Sequence, residues 1–107
     1  MCVHLARGTS DDAIDNIAAA LSALKADHPT AEIALYRRNP GAVRVRIITP
    51  DFAGLDGFER SDLVWKYLAA VPNDHAGDIS MMVLLAPGEE KFSLINLEFD
   101  DPSPSLL

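Results

Sequence analysis

The 107-residue sequence has one cysteine, Cys2, so no intrachain disulfide can form, which fits a reducing compartment. Basic residues are also scarce. Nine Lys and Arg against sixteen Asp and Glu leave a formal charge of −7, a balance that opposes non-specific binding to nucleic acid. No apolar run approaches a membrane span: the longest, Met81 to Ala86, falls far short of the ~20 residues required. The N-terminus shows no basic stretch followed by an apolar run and a cleavage site, and a cytoplasmic location is expected. No phosphate loop and no G-x-G-x-x-G is present. Histidines are few: His28 and His75 fall in expected loops, and His4 stands two residues from Cys2. Two such ligands do not close a tetrahedral site, so neither a metal nor a cofactor is expected.

What is present is a globular composition, 49% hydrophobic and 23% charged, in a length suited to a single domain spanning 1–107. Residues 1–8 are expected to be a flexible lead and 100–107 a flexible acidic tail. Thr9-Ser10-Asp11-Asp12 has the hydroxyls and acids of a helix start, and Ile14, Ile17, Leu21 and Leu24 follow at helical spacing, predicting a helix over Asp11–Asp27. Glu32–Arg38 and Val43–Thr49 alternate as strands around the turn Asn39-Pro40-Gly41, predicting an antiparallel hairpin. Its apolar face would carry Ile33, Leu35, Val43, Val45 and Ile47. Its other face would carry Tyr36, Arg38, Arg44 and Arg46.

Phe52 and Leu55 are expected to anchor the bend after Pro50. Asp56 and Glu59 have the spacing of a capping box for a second helix reaching Ala70, with Val64, Trp65 and Leu68 inward. Pro72–Gly77 is expected to be a loop. Ile79–Ala86, nearly all apolar, is expected to be a strand that is central or covered on both faces. Lys91–Phe99 admits a strand or a short helix, with extended structure favoured. The fold class expected is α+β, helix–strand–strand–helix–strand, with helices on one sheet face.

Within this frame the stretch Val43–Glu90 resembles the BolA-like family. The resemblance begins in Val43-Arg44-Val45-Arg46-Ile47-Ile48 and Thr49-Pro50-Asp51-Phe52-Ala53-Gly54. It continues in Glu59-Arg60-Ser61-Asp62-Leu63-Val64, in Asp78-Ile79-Ser80-Met81, and in the Pro87-x-Glu89 that follows. These are similar to that family's S-x-x-F-x-G, E-R-H-x-L-V, H-A-L-S and P-x-E stretches. The resemblance implies a helix–strand–strand–helix–helix–strand domain with type II KH-like topology. It also implies partnering of monothiol glutaredoxins around an iron–sulfur cluster and, in some members, transcriptional regulation. Where the family's H-A-L-S has its ligating histidine this chain reads Asp78-Ile79-Ser80, Ser61 replaces the helix histidine, and the hairpin loop Arg37–Ala42 has neither Cys nor His. Soft-metal sites need thiolate or imidazole, so no metal ligand is carried over.

Three constellations remain. Tyr36, Arg37, Arg38, Arg44 and Arg46 gather on the hairpin and would offer planar forks and a stacking face to an anionic partner, or else pair with the chain's own acids around Glu98–Asp101. Gly54-Leu55-Asp56-Gly57 is a G-x-x-G, which in KH domains clamps a nucleic-acid backbone, although Asp56 puts a negative charge there. Its other reading is a glycine-permitted turn plus helix cap. Asp51, Asp56, Glu59 and Asp62 cluster at the second helix start and would serve acid–base catalysis if burial split their pKa values. The first expectation is therefore a non-enzymatic, BolA-like protein-interaction or regulatory module binding through Tyr36, Arg38, Arg44, Arg46, Gly54 and Gly57. Its alternatives are a small ligand-binding or enzymatic domain using the acids of Asp51–Asp62, and a KH-like nucleic-acid binder.

Overall fold

A computed structural model describes residues 4–5, 11–39 and 42–100. Asp11 opens the first helix by accepting a hydrogen bond from the Ile14 N–H at 2.9 Å. Helix α1 (Asp12–Asp27) then buries Ile14, Ile17, Leu21 and Leu24, the residues its period marks out. Strands β2 (Glu32–Asn39) and β3 (Ala42–Ile48) follow as the expected antiparallel hairpin, with Tyr36 opposite Arg44 and Ala34 opposite Arg46. Of the turn between them, Pro40 and Gly41 lie outside the described residues. A two-residue strand β1 (His4–Leu5) pairs parallel with β2, so part of the expected flexible lead belongs to the sheet. The rest of that lead and residues 101–107 of the expected tail lie outside the described residues.

After β3, Thr49 caps a single 3-10 turn, Pro50–Phe52, which drops Phe52 fully into the core. Gly54 takes φ +84°, a conformation a side chain would strain, and lets the chain reverse into the next helix. Helix α2 (Gly57–Leu68) begins with the expected capping box. Asp56 accepts from the Glu59 N–H at 2.8 Å and Glu59 from the Asp56 N–H at 2.9 Å. Where a loop was expected, Asn73–Ala76 forms one helical turn, α3. Pro72 fixes the entry, and its carbonyl accepts from the N–H groups of His75 and Ala76. Strand β4 (Ile79–Leu85) then pairs parallel with β3, completing a sheet in the order β1-β2-β3-β4. β4 is an edge strand and not a central one. Its apolar run is nonetheless covered on both faces toward its end, Met82 and Leu84 packing on one core and Val83 and Leu85 on the other.

The favoured extended reading of Lys91–Phe99 is incorrect. A 3-10 turn (Glu89–Phe92) leads into helix α4 (Leu94–Asp100). The alternation of Ile95, Leu97 and Phe99 misled because Ile95 and Leu97 stay exposed, while Asn96 and Phe99 are the buried pair. The result is one α+β domain with two apolar layers. The larger joins α1 and α2 to Ile33, Leu35, Val43, Val45, Ile47 and Phe52. The smaller lies on the opposite sheet face, where Phe99 of α4 meets Ala34, Tyr36, Ile48, Val83 and Leu85. Helices therefore lie on both faces of the sheet, not on one.

Candidate functional site

The hairpin register is as expected: Val43, Val45 and Ile47 are buried toward α1 and α2, and Arg44 and Arg46 point the other way. Of the expected arginine surface, Arg44 and Arg46 are half-buried and not open. Tyr36 is fully buried, and its hydroxyl donates to the Phe99 carbonyl at 2.8 Å. The two rings meet edge to face with centroids 4.9 Å apart. Arg44 Nη1 donates to the Tyr36 hydroxyl at 3.3 Å. The Arg46 guanidinium sits 4.8 Å from the Phe99 ring centroid and donates to Asn96 Oδ1 at 3.1 Å. Arg44 and Arg46 thus stand between the sheet and α4 as a half-buried polar layer that holds the helix down. Arg37 faces the opposite side and joins Asp11 (2.6 Å) to Asp78 (3.1 Å), tying the start of α1 to the entry of β4. The side chain of Arg38 lies outside the described contacts.

Three of the four acids around Asp51–Asp62 have local work. Asp51 Oδ2 is hydrogen-bonded to His28 Nδ1 at 2.6 Å and lies beside Thr49, while Asp56 and Glu59 close the capping box. Among the described residues Asp11 and Glu89 are the carboxyls held well away from their ordinary values, and both move down. The Arg37 hydrogen bond holds Asp11 at about 2, and the Arg60 hydrogen bond, helped by the Ala86 N–H, holds Glu89 at about 2. A general acid needs the opposite shift. Among the described residues no three His, Cys, Asp or Glu side chains gather into a metal site. Asp78, which opens the stretch compared above with H-A-L-S, is bound by Arg37 at 3.1 Å and offers neither thiolate nor imidazole. Cys2 lies outside the described residues.

Gly54 and Gly57 frame the turn before α2, where the Asp56 carboxylate takes the Glu59 amide. Gly57 does contribute to a different feature, an open groove of about 280 Å³ between the first turns of α2, strand β4 and the start of α4. Arg60, Ser61, Met82, Leu84 and Ile95 complete its walls. Arg60 is its rigid corner. It grips Glu89 with two bonds (2.7 and 3.0 Å), donates to the Leu84 carbonyl (2.9 Å) and the Leu55 carbonyl (3.0 Å), and lies over the Phe52 ring. This clasp raises the Arg60 pKa further above its already high ordinary value. Phe58 and Trp65, seven residues apart and hence on one side of α2, flank Ser61 at the groove's rim.

Phe58 is 86% exposed and Trp65 40%, so Trp65 is not the inward residue it was expected to be. Tyr67 is the tied aromatic, donating to Asp27 at 2.6 Å. The four large apolar side chains exposed among the described residues are Phe58, Trp65, Ile95 and Leu97, all on the two helices that bracket β4. Composition could not reveal this. The seven-residue spacing of the two aromatics was the available signal, and it requires knowing which side of α2 faces the core.

No family model, curated protein or solved structure matches the chain. Among the described residues no helix is long and apolar enough to cross a membrane.

Proposed function

We propose that this chain is a non-enzymatic, BolA-like protein-interaction module of the cytoplasm, and that its partner docks on the α2–β4 side. The observation that carries this is the exposure of Phe58 and Trp65 beside a groove whose floor is β4, the edge of the sheet among the described residues. Exposed aromatics next to a preformed concavity are the residue types that anchor interfaces. The order helix–strand–strand–helix–helix–strand from α1 to β4, with β2 and β3 antiparallel and β3 and β4 parallel, supports the BolA-like reading. A glutaredoxin-type partner would have to be met without a thiolate or imidazole from Asp78–Ser80 or from the loop Arg37–Ala42. Nucleic acid is disfavoured by the charge of −7 and by Asp56 in the glycine turn.

Affinity capture from native lysate tests the proposal. The wild-type chain should retain a stoichiometric protein partner, and Phe58→Ser combined with Trp65→Ser should lose it while unfolding at the same temperature. Retention by the double variant, or recovery of nucleic acid alone, would contradict it. Co-expression with a monothiol glutaredoxin should give colourless material, and a visible absorbance band would restore the cluster role.

A further inference from the structure

β4 is the last strand in the sheet order, and its outer edge is unusual for an edge. Natural edge strands are blunted by charge, proline or twist, because unpaired main-chain groups template further pairing. Ile79–Leu85 reads Ile-Ser-Met-Met-Val-Leu-Leu, with no charge, proline or glycine. Its register is irregular only at the start, between Val43 and Arg44. The Leu85 carbonyl accepts from the Thr49 N–H at 3.0 Å, on the β3 side. Leu84 and Met82, at odd spacings from it, therefore aim their main-chain groups outward. The Leu84 carbonyl is met there by Arg60. Among the described residues that leaves the Met82 N–H and C=O and the Leu84 N–H along the groove, between Gly57 and Ser61 of α2 and Ile95 of α4, with the exposed Phe58 and Trp65 neighbouring Ser61 on the helix.

We propose that an extended segment of a partner protein, apolar at its centre and basic at its ends, adds to the sheet as a fifth strand beside β4. The inference rests on the interaction reading above and specifies its mode. Main-chain pairing gives such complexes their affinity and side-chain pockets give register. The groove lies where alternate side chains of an added strand would point. Charge selects the occupant. Between Asp56 and Lys91 the chain has seven carboxylates and three basic side chains. Of these, Arg60 and Glu89 are clasped together and Asp78 is held by Arg37, which leaves five carboxylates against two bases. Asp78 precedes β4, Glu90 follows it, and Asp56 caps α2 directly before the groove residue Gly57. A second copy of this chain would bring like charge to both ends and Arg60 against the added strand, whereas lysines or arginines flanking an apolar strand meet opposite charge.

The probe is a synthetic peptide of alternating valine and threonine between terminal lysines. It is compared with a glutamate-flanked version and with one N-methylated at alternate residues. Trp65, the single tryptophan, reports binding by its emission, and amide exchange reports pairing. The lysine peptide should shift Trp65 emission saturably and slow exchange of the Met82 and Leu84 amides. The glutamate-flanked and N-methylated peptides should each bind at least tenfold more weakly. Met82→Pro removes one outward N–H and no ladder bond, so it should fold and bind at least tenfold more weakly; should it not fold, the N-methylated peptide on the wild-type chain carries the same comparison. Equal binding of the methylated peptide would overturn strand addition. So would a dimer of the free chain in sedimentation that Met82→Pro dissolves, because the occupant would then be a second copy. Native-partner capture undiminished by Met82→Pro ends this inference and leaves the interaction reading standing. Peptide binding with no partner captured from the lysate does the reverse.

Discussion

Single side chains in this protein hold elements together more than they display chemistry. Arg60 is the clearest case, linking α2 to Leu55, Leu84 and Glu89 at once. Arg60→Ala leaves the Leu84 and Leu55 carbonyls without their donor and should cost about 2–3 kcal/mol, read as a fall in the urea midpoint. The pH dependence follows from the same pair. Glu89 is held at about 2 against an ordinary 4.5, a depressed value, so its contribution is complete above pH ~4.5 and is lost as the pH falls through about 2. Its side chain is 43% exposed, and screening limits that contribution to at most about 1 kcal/mol. The stability difference between wild type and Glu89→Gln should therefore shrink between pH 5 and pH 2; a difference that grows over that range would contradict the assignment. Asp56→Ala, losing the cap of α2, should cost about 1 kcal/mol.

Elements differ in how openly the sequence declares them. Helix α1, the hairpin and the capping box were legible because each has a local cause: a 3.6-residue period, a 2-residue period, a carboxylate three residues from its partner. Helix α4 was not, because its identity depends on the sheet beneath it. Asn96 faces inward to Arg46 and Phe99 fills the gap beside Tyr36, while Ile95 and Leu97 remain outside, which inverts the expected apolar pattern. The same contact explains why Arg44 and Arg46 are half-buried. Nothing in Val43–Thr49 indicates that a segment fifty residues later will cover it. Phe99→Ala removes the one ring that α4 seats in the second layer and should cost about 3–5 kcal/mol. Its expected signature is faster amide exchange over 94–100, with the hairpin retained. Exchange unchanged in α4 would mean that Arg46 and Asn96 hold the helix without the ring.

At the scale of the whole molecule, one sheet edge is held at its start by two residues of β1 while the other, β4, ends in open main chain between two helices carrying exposed apolar side chains. The candidate site was only partly visible beforehand. Gly57 and Trp65 were singled out, but for a phosphate turn and for the core; Phe58, Met82 and Ile95 were not, because an edge strand is defined by the partner it lacks. Amide hydrogen exchange on the captured partner complex, compared with the free chain, measures this most directly. Protection should appear over 57–65 and 79–85, strongest at Met82. Protection confined to 36–46, with 79–85 unchanged, would place the partner on the arginine hairpin and contradict the account.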